Sequence, residues 1–305
     1  RMVTLTELLA REGYRTAAFT GSGRMAASLG LAKGFERYFD NETRQLGTLE
    51  LGDNRPQIES WLQEFSDGRF FLFIHTYQIH SPYPTLIDHY DGLFRKIMPD
   101  DIPRMKLEAL PIVDSFDRLG FLSLGKPVTR KDESLFQCMK DYYDGSIRFT
   151  SDFLIDPLLD TLKRLGIYDN TIIVVLSDHG EEFFDHERFY HNDALFEELI
   201  HVPLIIKPTG PAPMPQRIET PVQTVDLLPT LCELMRVPDS EAAVRDGRSL
   251  AQSIWTGKEP PPVAVFSQSQ SKYAARKGER KLILRCRVAP SEQAVIPRIE
   301  CLDLK

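Results

Sequence analysis

Residues 171–207 read TIIVVLSDHGEEFFDHERFYHNDALFEELIHVPLIIK, and in them an apolar run ends abruptly at Asp178-His179-Gly180-Glu181. A carboxylate and an imidazole at adjacent positions can reach one divalent cation if the backbone turns sharply beside them, and Gly180 is expected to supply that freedom. The carboxylate suits a hard ion such as Ca2+, whereas the imidazole suits Zn2+ or Mn2+. Taken alone, the same four residues also fit a helix cap at Asp178 with His179 on the surface. His191 precedes the next apolar run, VPLIIK, and is expected near the same rim. His186 reads as a solvated loop residue. Glu182, Glu197 and Glu198 read as a solvated charged face, with Glu181 set apart from them.

A second group follows the apolar run FFLFI in HTYQIHSPY, where His75 and His80 lie at the end of an expected strand. The Ser-Pro-Tyr-Pro that follows favours an ordered turn, which would fix the ring of His80. A fixed histidine can protonate a leaving group or bind an anion.

These residues need elements to hold them. TLTELLAREG predicts a helix, with Thr4 and Glu7 at capping-box spacing and Gly13 just past its end. YRTAAFT predicts a strand, IESWLQEF a helix, RFFLFI a strand covered on both faces, and 134–165 a helix that Pro157 kinks or divides. TIIVVL and VPLIIK predict two further buried strands, and TVDLLPTLCELM a helix. Strands alternating with helices imply an α/β fold, a mostly parallel sheet sandwiched by helices. In such sheets functional groups gather beyond the carboxyl ends of the strands, where Asp178 and His80 both fall. After GKEPPPV the pattern changes to short strands joined by turns. The expected division is therefore residues 1–257 as the α/β core and 258–305 as a small antiparallel C-terminal subdomain. Residues 84–135 have weak periodicity and several prolines, and read as a long excursion that shapes a binding loop or lid.

The 305 residues carry 37 Lys plus Arg against 44 Asp plus Glu, a net charge of -7. That balance argues against a nucleic-acid binder, which needs clustered basic residues. KYAARKGERK is basic, but with one aromatic it reads as an exposed hairpin. No stretch approaches the roughly 20 apolar residues of a membrane span. Periplasmic, secreted and cytoplasmic locations all stay open. None of the four cysteines, Cys138, Cys232, Cys286 and Cys301, forms a CxxC pair, so a cysteine zinc site is not expected. A hairpin could pair Cys286 with Cys301, and isolated thiols are the other reading. Walker, GxGxxG, GxSxG and HExxH motifs are absent.

The order of segments resembles the sulfatase family of the alkaline-phosphatase-like superfamily. The matching stretches are LTELLAREGYRTAAF, LGLAKGFERYFD, RFFLFIHTYQIHSPY, YYDGSIRFTSDFLIDPLLDTLKRLGIYDNTIIVVLSDHGEEF, HVPLIIK, TVDLLPTLCELMRVP, DGRSL and YAARKGERKLILR…IECLDLK. The resemblance implies a hydrolase of sulfate esters, acting on a small-molecule or glycan sulfate ester. It implies a divalent cation, Ca2+ first with Mg2+ and Mn2+ as alternatives. In such enzymes a formylglycine made from Cys or Ser is the nucleophile. Carried over, Asp178 and His179 look like a metal-binding pair. His80 looks like the histidine that contacts sulfate and assists the leaving oxygen, and His191 falls where relatives bind the sulfate with Lys or His. The family's Cys- or Ser-x-Pro-x-Arg motif and its first strand with paired aspartates are not found. The chain is therefore expected to be N-terminally incomplete and inactive alone, with the formylglycine in the missing segment. The alternatives are a phosphodiesterase or phosphonate monoester hydrolase of the same superfamily, or a non-catalytic binder of anionic glycans.

Overall fold

The computed structural model describes residues 3–21, 23–40, 50–80, 133–186, 189–191, 194–210, 217–239, 242, 245–270, 272–288 and 295–303. The chain divides into two compact units. One comprises Thr6–Tyr168 and Phe183–Tyr190, here the N-terminal unit; the other comprises Arg1–Leu5, Asp169–Glu182 and His191–Lys305, here the C-terminal unit. The excursion expected at 84–135 lies outside the described residues except at its last positions.

The N-terminal unit is built on a parallel sheet. Helix α1 (Leu5–Arg11) buries Leu8 and Leu9 and ends at Gly13, whose φ of 78° is the left-handed stop its sequence predicts. Tyr14 N–H then returns to the Leu9 carbonyl, and the chain enters strand β1 (Arg15–Thr20). β1 is central, flanked in parallel by β2 (Arg37–Asp40) and β3 (Phe70–Ile74), in the order β2-β1-β3. Its Ala17, Ala18 and Phe19 are fully covered, as a middle strand of a parallel sheet requires. The two threonines that flank them stay buried because their hydroxyls are bonded: Thr16 donates to the Gly34 carbonyl and Thr20 to that of Met25. Helix α2 (Glu50–Phe65) lays Ile58, Trp61 and Leu62 into the core. β3 is only half-buried along its length rather than covered on both faces.

Helix α3 (Glu133–Thr150) and helix α4 (Asp156–Arg164) replace the single helix expected at 134–165. The break is not at Pro157 itself. It is a π-helical turn at Ser151–Ile155, after which Pro157 sits harmlessly in the first turn of α4. Thr150, which ends α3, donates to the Ser146 carbonyl, a back-bond of the kind that bends helices.

In the C-terminal unit β4 (Ile173–Leu176) and β5 (Leu204–Lys207) pair antiparallel, Val174 facing Ile206 and Val175 facing Ile205. Both strands exist where the sequence puts them, but they are half-buried, with Ile205 63% exposed. An apolar run alone cannot distinguish a covered strand from one that is part of a two-stranded ladder. Between them lies a single helical turn, α5 (Glu197–Ile200); helices α6 (Leu227–Met235) and α7 (Ala251–Thr256) follow.

The C-terminal sheet is a four-stranded antiparallel meander of β6 (Val265–Ser269), β7 (Lys272–Lys277), β8 (Arg280–Val288) and β9 (Val295–Asp303). Its inner face offers Ala274 and Ile283, which pack with Ala194, Leu195, Phe196 and Leu199 around α5. The register sets Cys286 opposite Pro297 and Cys301 opposite Leu282. The two thiols are therefore four residues apart along the ladder, about 13 Å at strand rise, beyond disulfide reach. Both are free. Among the described residues no helix is long and apolar enough to cross a membrane.

Candidate cation and anion site

The loop that leaves β4 is Ser177-Asp178-His179-Gly180, and its hydrogen bonds fix both candidate ligands. Ser177 Oγ donates to the His179 carbonyl, and His179 N–H donates to Asp178 Oδ1 at 3.0 Å. The other carboxylate oxygen, Asp178 Oδ2, lies 3.7 Å from His179 Nε2. His179 Nδ1 is 2.9 Å from the Gly180 carbonyl. A carbonyl only accepts, so Nδ1 carries the proton and the Nε2 lone pair is presented toward Asp178.

That pair of atoms fits a metal. Two donors bound to one ion at about 2.0–2.6 Å each stand roughly 3–4.5 Å apart, and a carboxylate with an imidazole held from its far nitrogen is a common ligand arrangement. Asp178 is 72% exposed and His179 40%, so an ion there would keep room for water or an anion.

Gly180 acts differently from its expected role. Its backbone is not in the left-handed region. It is instead a site of close approach: its N–H donates to the Leu199 carbonyl at 2.8 Å, and a Cβ would run into the Glu198 carbonyl oxygen. The glycine lets the loop press flat against α5.

His191 joins this loop. Its ring stacks on that of His179, centroids 4.2 Å apart and planes 23° from parallel. Its Nδ1 meets Glu181 Oε1 at 3.0 Å, and the Glu181 side chain is only 5% exposed. A carboxylate accepts, so this Nδ1 also carries a proton and Nε2 is the atom left to act. Asp178, His179 and His191 are thus brought together, with Glu181 behind them. The sequence singled out Glu181 only negatively, as the one acid not assigned to a solvated face. The partnership with His191 is not visible in the sequence, because the two residues stand ten positions apart in the chain with no motif linking them.

His80 belongs to the N-terminal unit, at the carboxyl end of β3. His75 N–H extends the sheet by donating to the Phe19 carbonyl. A turn then closes with His80 N–H donating to the Tyr77 carbonyl at 2.9 Å. This turn ends at His80; the Ser-Pro-Tyr-Pro segment expected to order it lies outside the described residues. The Tyr77 ring stands edge-on to both His75 and His80, at 4.8 and 5.5 Å, and its hydroxyl accepts from Arg24 N–H. His186 is exposed.

Two acids read as solvated are not: Glu182 is fully buried, and Glu197 is ion-paired. Glu197 bonds Lys281 Nζ and Arg276 at 2.7 and 2.5 Å, and the Lys281 side chain is 0% exposed. The basic KYAARKGERK segment is likewise only partly an exposed hairpin, since Lys272 and Lys281 are both buried.

The chain is similar to known proteins. The family model described as Sulfatase matches residues 1–237. Arylsulfatase K of Xenopus laevis is 38% identical over 88 residues, 28% of this chain and 16% of that protein. The chain thus aligns with only a minor part of this curated relative. A protein solved in complex with its substrate D-glucosamine-2-N,6-O-disulfate superimposes with a TM-score of 0.70 at 18% identity, over 100% of this chain and 76% of that one. The phosphonate monoester hydrolase of Agrobacterium radiobacter gives 0.67 at 18%, over 100% and 74%. At such identities the two structures establish a shared α/β fold.

Proposed function

Because the chain belongs to the sulfatase family, we propose that it carries the cation-binding and anion-binding part of a metal-dependent sulfate-ester hydrolase. One observation above all supports this reading: His179 is tethered through Nδ1 to Gly180, which leaves Nε2 3.7 Å from Asp178 Oδ2.

In this reading Asp178 and His179 hold a divalent cation, Ca2+ with Mg2+ and Mn2+ as alternatives. When bound, the ion supplies Lewis-acid stabilisation of charge on the ester oxygens. His191 in its imidazolium form, its Nδ1–H held by Glu181, would donate its Nε2–H to the sulfate. His80, at the carboxyl end of β3, is the candidate acid that would give a proton to the departing alkoxide or phenoxide oxygen as the S–O bond breaks. A positioned acid of that kind contributes roughly 10²–10⁴-fold. No Cys- or Ser-x-Pro-x-Arg occurs in residues 1–305, so the nucleophile is not assigned to these residues. The substrate class is a small-molecule or glycan sulfate ester. Phosphonate or phosphodiester hydrolysis is the second reading, favoured by the shared fold with a phosphonate monoester hydrolase.

The test is equilibrium binding of inorganic sulfate and phosphate to this chain with and without Mn2+. Sulfate should bind measurably only with the cation and weaken in His80→Ala and in His191→Ala. Preferential phosphate binding would favour the second reading. Sulfate binding indifferent to the cation and to both histidines would overturn the assignment. The chain alone should not hydrolyse an aryl sulfate, and metal-dependent turnover by it would place the nucleophile within these residues.

A further inference from the structure

Burying a lysine is costly unless its ammonium is bonded, and Lys281 is the most deeply buried cation among the described ion pairs of the C-terminal unit. Burial pulls its ammonium below the usual lysine range, while the Glu197 carboxylate opposes that shift. Lys281 on β8 and Arg276 on β7 sit directly opposite one another in the ladder. Like charges facing across strands repel, so the pair needs an acid between them. Glu197 supplies it, one carboxylate oxygen to each cation. Glu197 is the first residue of α5, and α5 is the element against which the cation loop lies. Gly180 N–H donates to Leu199 O, and the Gly180 carbonyl in turn receives His179 Nδ1. A continuous path thus runs from the C-terminal sheet to the His179 ring: Lys281 and Arg276, Glu197, the carbonyls of α5, Gly180, His179.

We propose that Lys281 and Arg276 are positioning residues for the cation loop, holding α5 in the one register that orients His179. The inference rests on the reading of Asp178 and His179 as cation ligands. The apolar contacts of Ala274 and Ile283 with Leu195, Phe196 and Leu199 supply cohesion, which is non-directional. An ion triad is different. A buried pair is no more stabilising than a well-packed apolar one, and its contribution is a fixed geometry. α5 is a single turn, too short to hold itself, so its register must be imposed from outside. This gives the antiparallel sheet a task in the chemistry beyond completing the core.

The experiment compares wild type, Lys281→Met, Arg276→Met and Glu197→Gln in the full chain. Ile283→Val serves as a control that weakens the same sheet face without touching the triad. Two quantities are read: the Mn2+ dissociation constant, and hydrogen exchange at the Gly180 amide. Lys281→Met and Glu197→Gln should raise the dissociation constant about 10-fold, the low end of the scale of outer-shell substitutions at metal sites, and speed Gly180 exchange. Ile283→Val should lower the melting temperature while leaving both quantities as in wild type. Arg276, partly exposed, gives a variant that folds should Lys281→Met fail to. Wild-type affinity and wild-type Gly180 exchange in the folded triad variants, or equal effects in Ile283→Val, would overturn the proposal. Should wild type bind no Mn2+, the cation reading fails, and Gly180 exchange still decides whether the triad sets the loop.

Discussion

The imidazole of His191 stacks on that of His179 with centroids 4.2 Å apart, and each ring is held by its Nδ1, one by the Glu181 carboxylate and one by the Gly180 carbonyl. Both rings therefore present Nε2, and both do so because an acceptor stands behind them. A metal site or an anion site built on histidine needs this second layer, since an unheld ring rotates and exchanges its proton between nitrogens. The stack also ties the two rings together: moving either one disturbs the other.

Replacing Glu181 by Ala should release His191 while leaving His179 tethered. The weakened variant would lose roughly tenfold in cation-dependent sulfate affinity, the scale of a hydrogen bond to a charged group. Long-range 1H–15N spectra would show neutral His191 no longer held as the Nδ1–H form. Glu181→Gln keeps an acceptor at that place and should retain most of the affinity.

Gly180→Ala is expected to cost about 1–3 kcal/mol, because a methyl group there meets backbone, which cannot move aside as a side chain can. Urea denaturation measures it. The same variant should weaken Mn2+ binding, since relieving the clash moves the loop away from α5. A stability equal to wild type would show that the approach of loop and helix is looser than described.

The acid limb of stability should depend on Glu259. Its carboxyl is held below the ordinary value of 4.5, first by the Thr220 hydroxyl and then by the backbone N–H groups of Glu219 and Thr220. A depressed carboxylate stabilises the fold above the unfolded-state pKa, and that contribution fades as pH falls through the folded-state value. Glu259→Gln should therefore lower the urea midpoint at pH 7 and leave it nearer wild type at pH 3. An equal loss at both pH values would contradict this.

The sequence carried much of this arrangement in readable form. The glycine stop after α1, the strands β1, β3, β4 and β5, the antiparallel character of the end of the chain and the clustering of Asp178, His179 and His191 all follow from periodicity, turn residues and strand ends. What escaped it depended on partners distant in the chain. Glu197 and Lys281 both look solvated when read singly, because charged residues almost always are. Only the register that sets Lys281 beside Arg276, and the docking of α5 on that face, makes them a buried triad. Gly180 was legible as a necessity but not in its cause: a glycine needed for close approach and one needed for a left-handed turn look alike in one sequence. Pro157 predicts the division of helix 134–165, whereas the structure places it at the π turn just before that proline.

Asp178 and His179 together are proposed to hold one divalent cation. The most direct test is titration of the chain with Mn2+, followed by the EPR signal of the free ion and competed with Ca2+ and Mg2+, in wild type, Asp178→Ala and His179→Ala. One competable site is expected in wild type and at least a tenfold weaker site in each variant. The same affinity in wild type and in Asp178→Ala would contradict it.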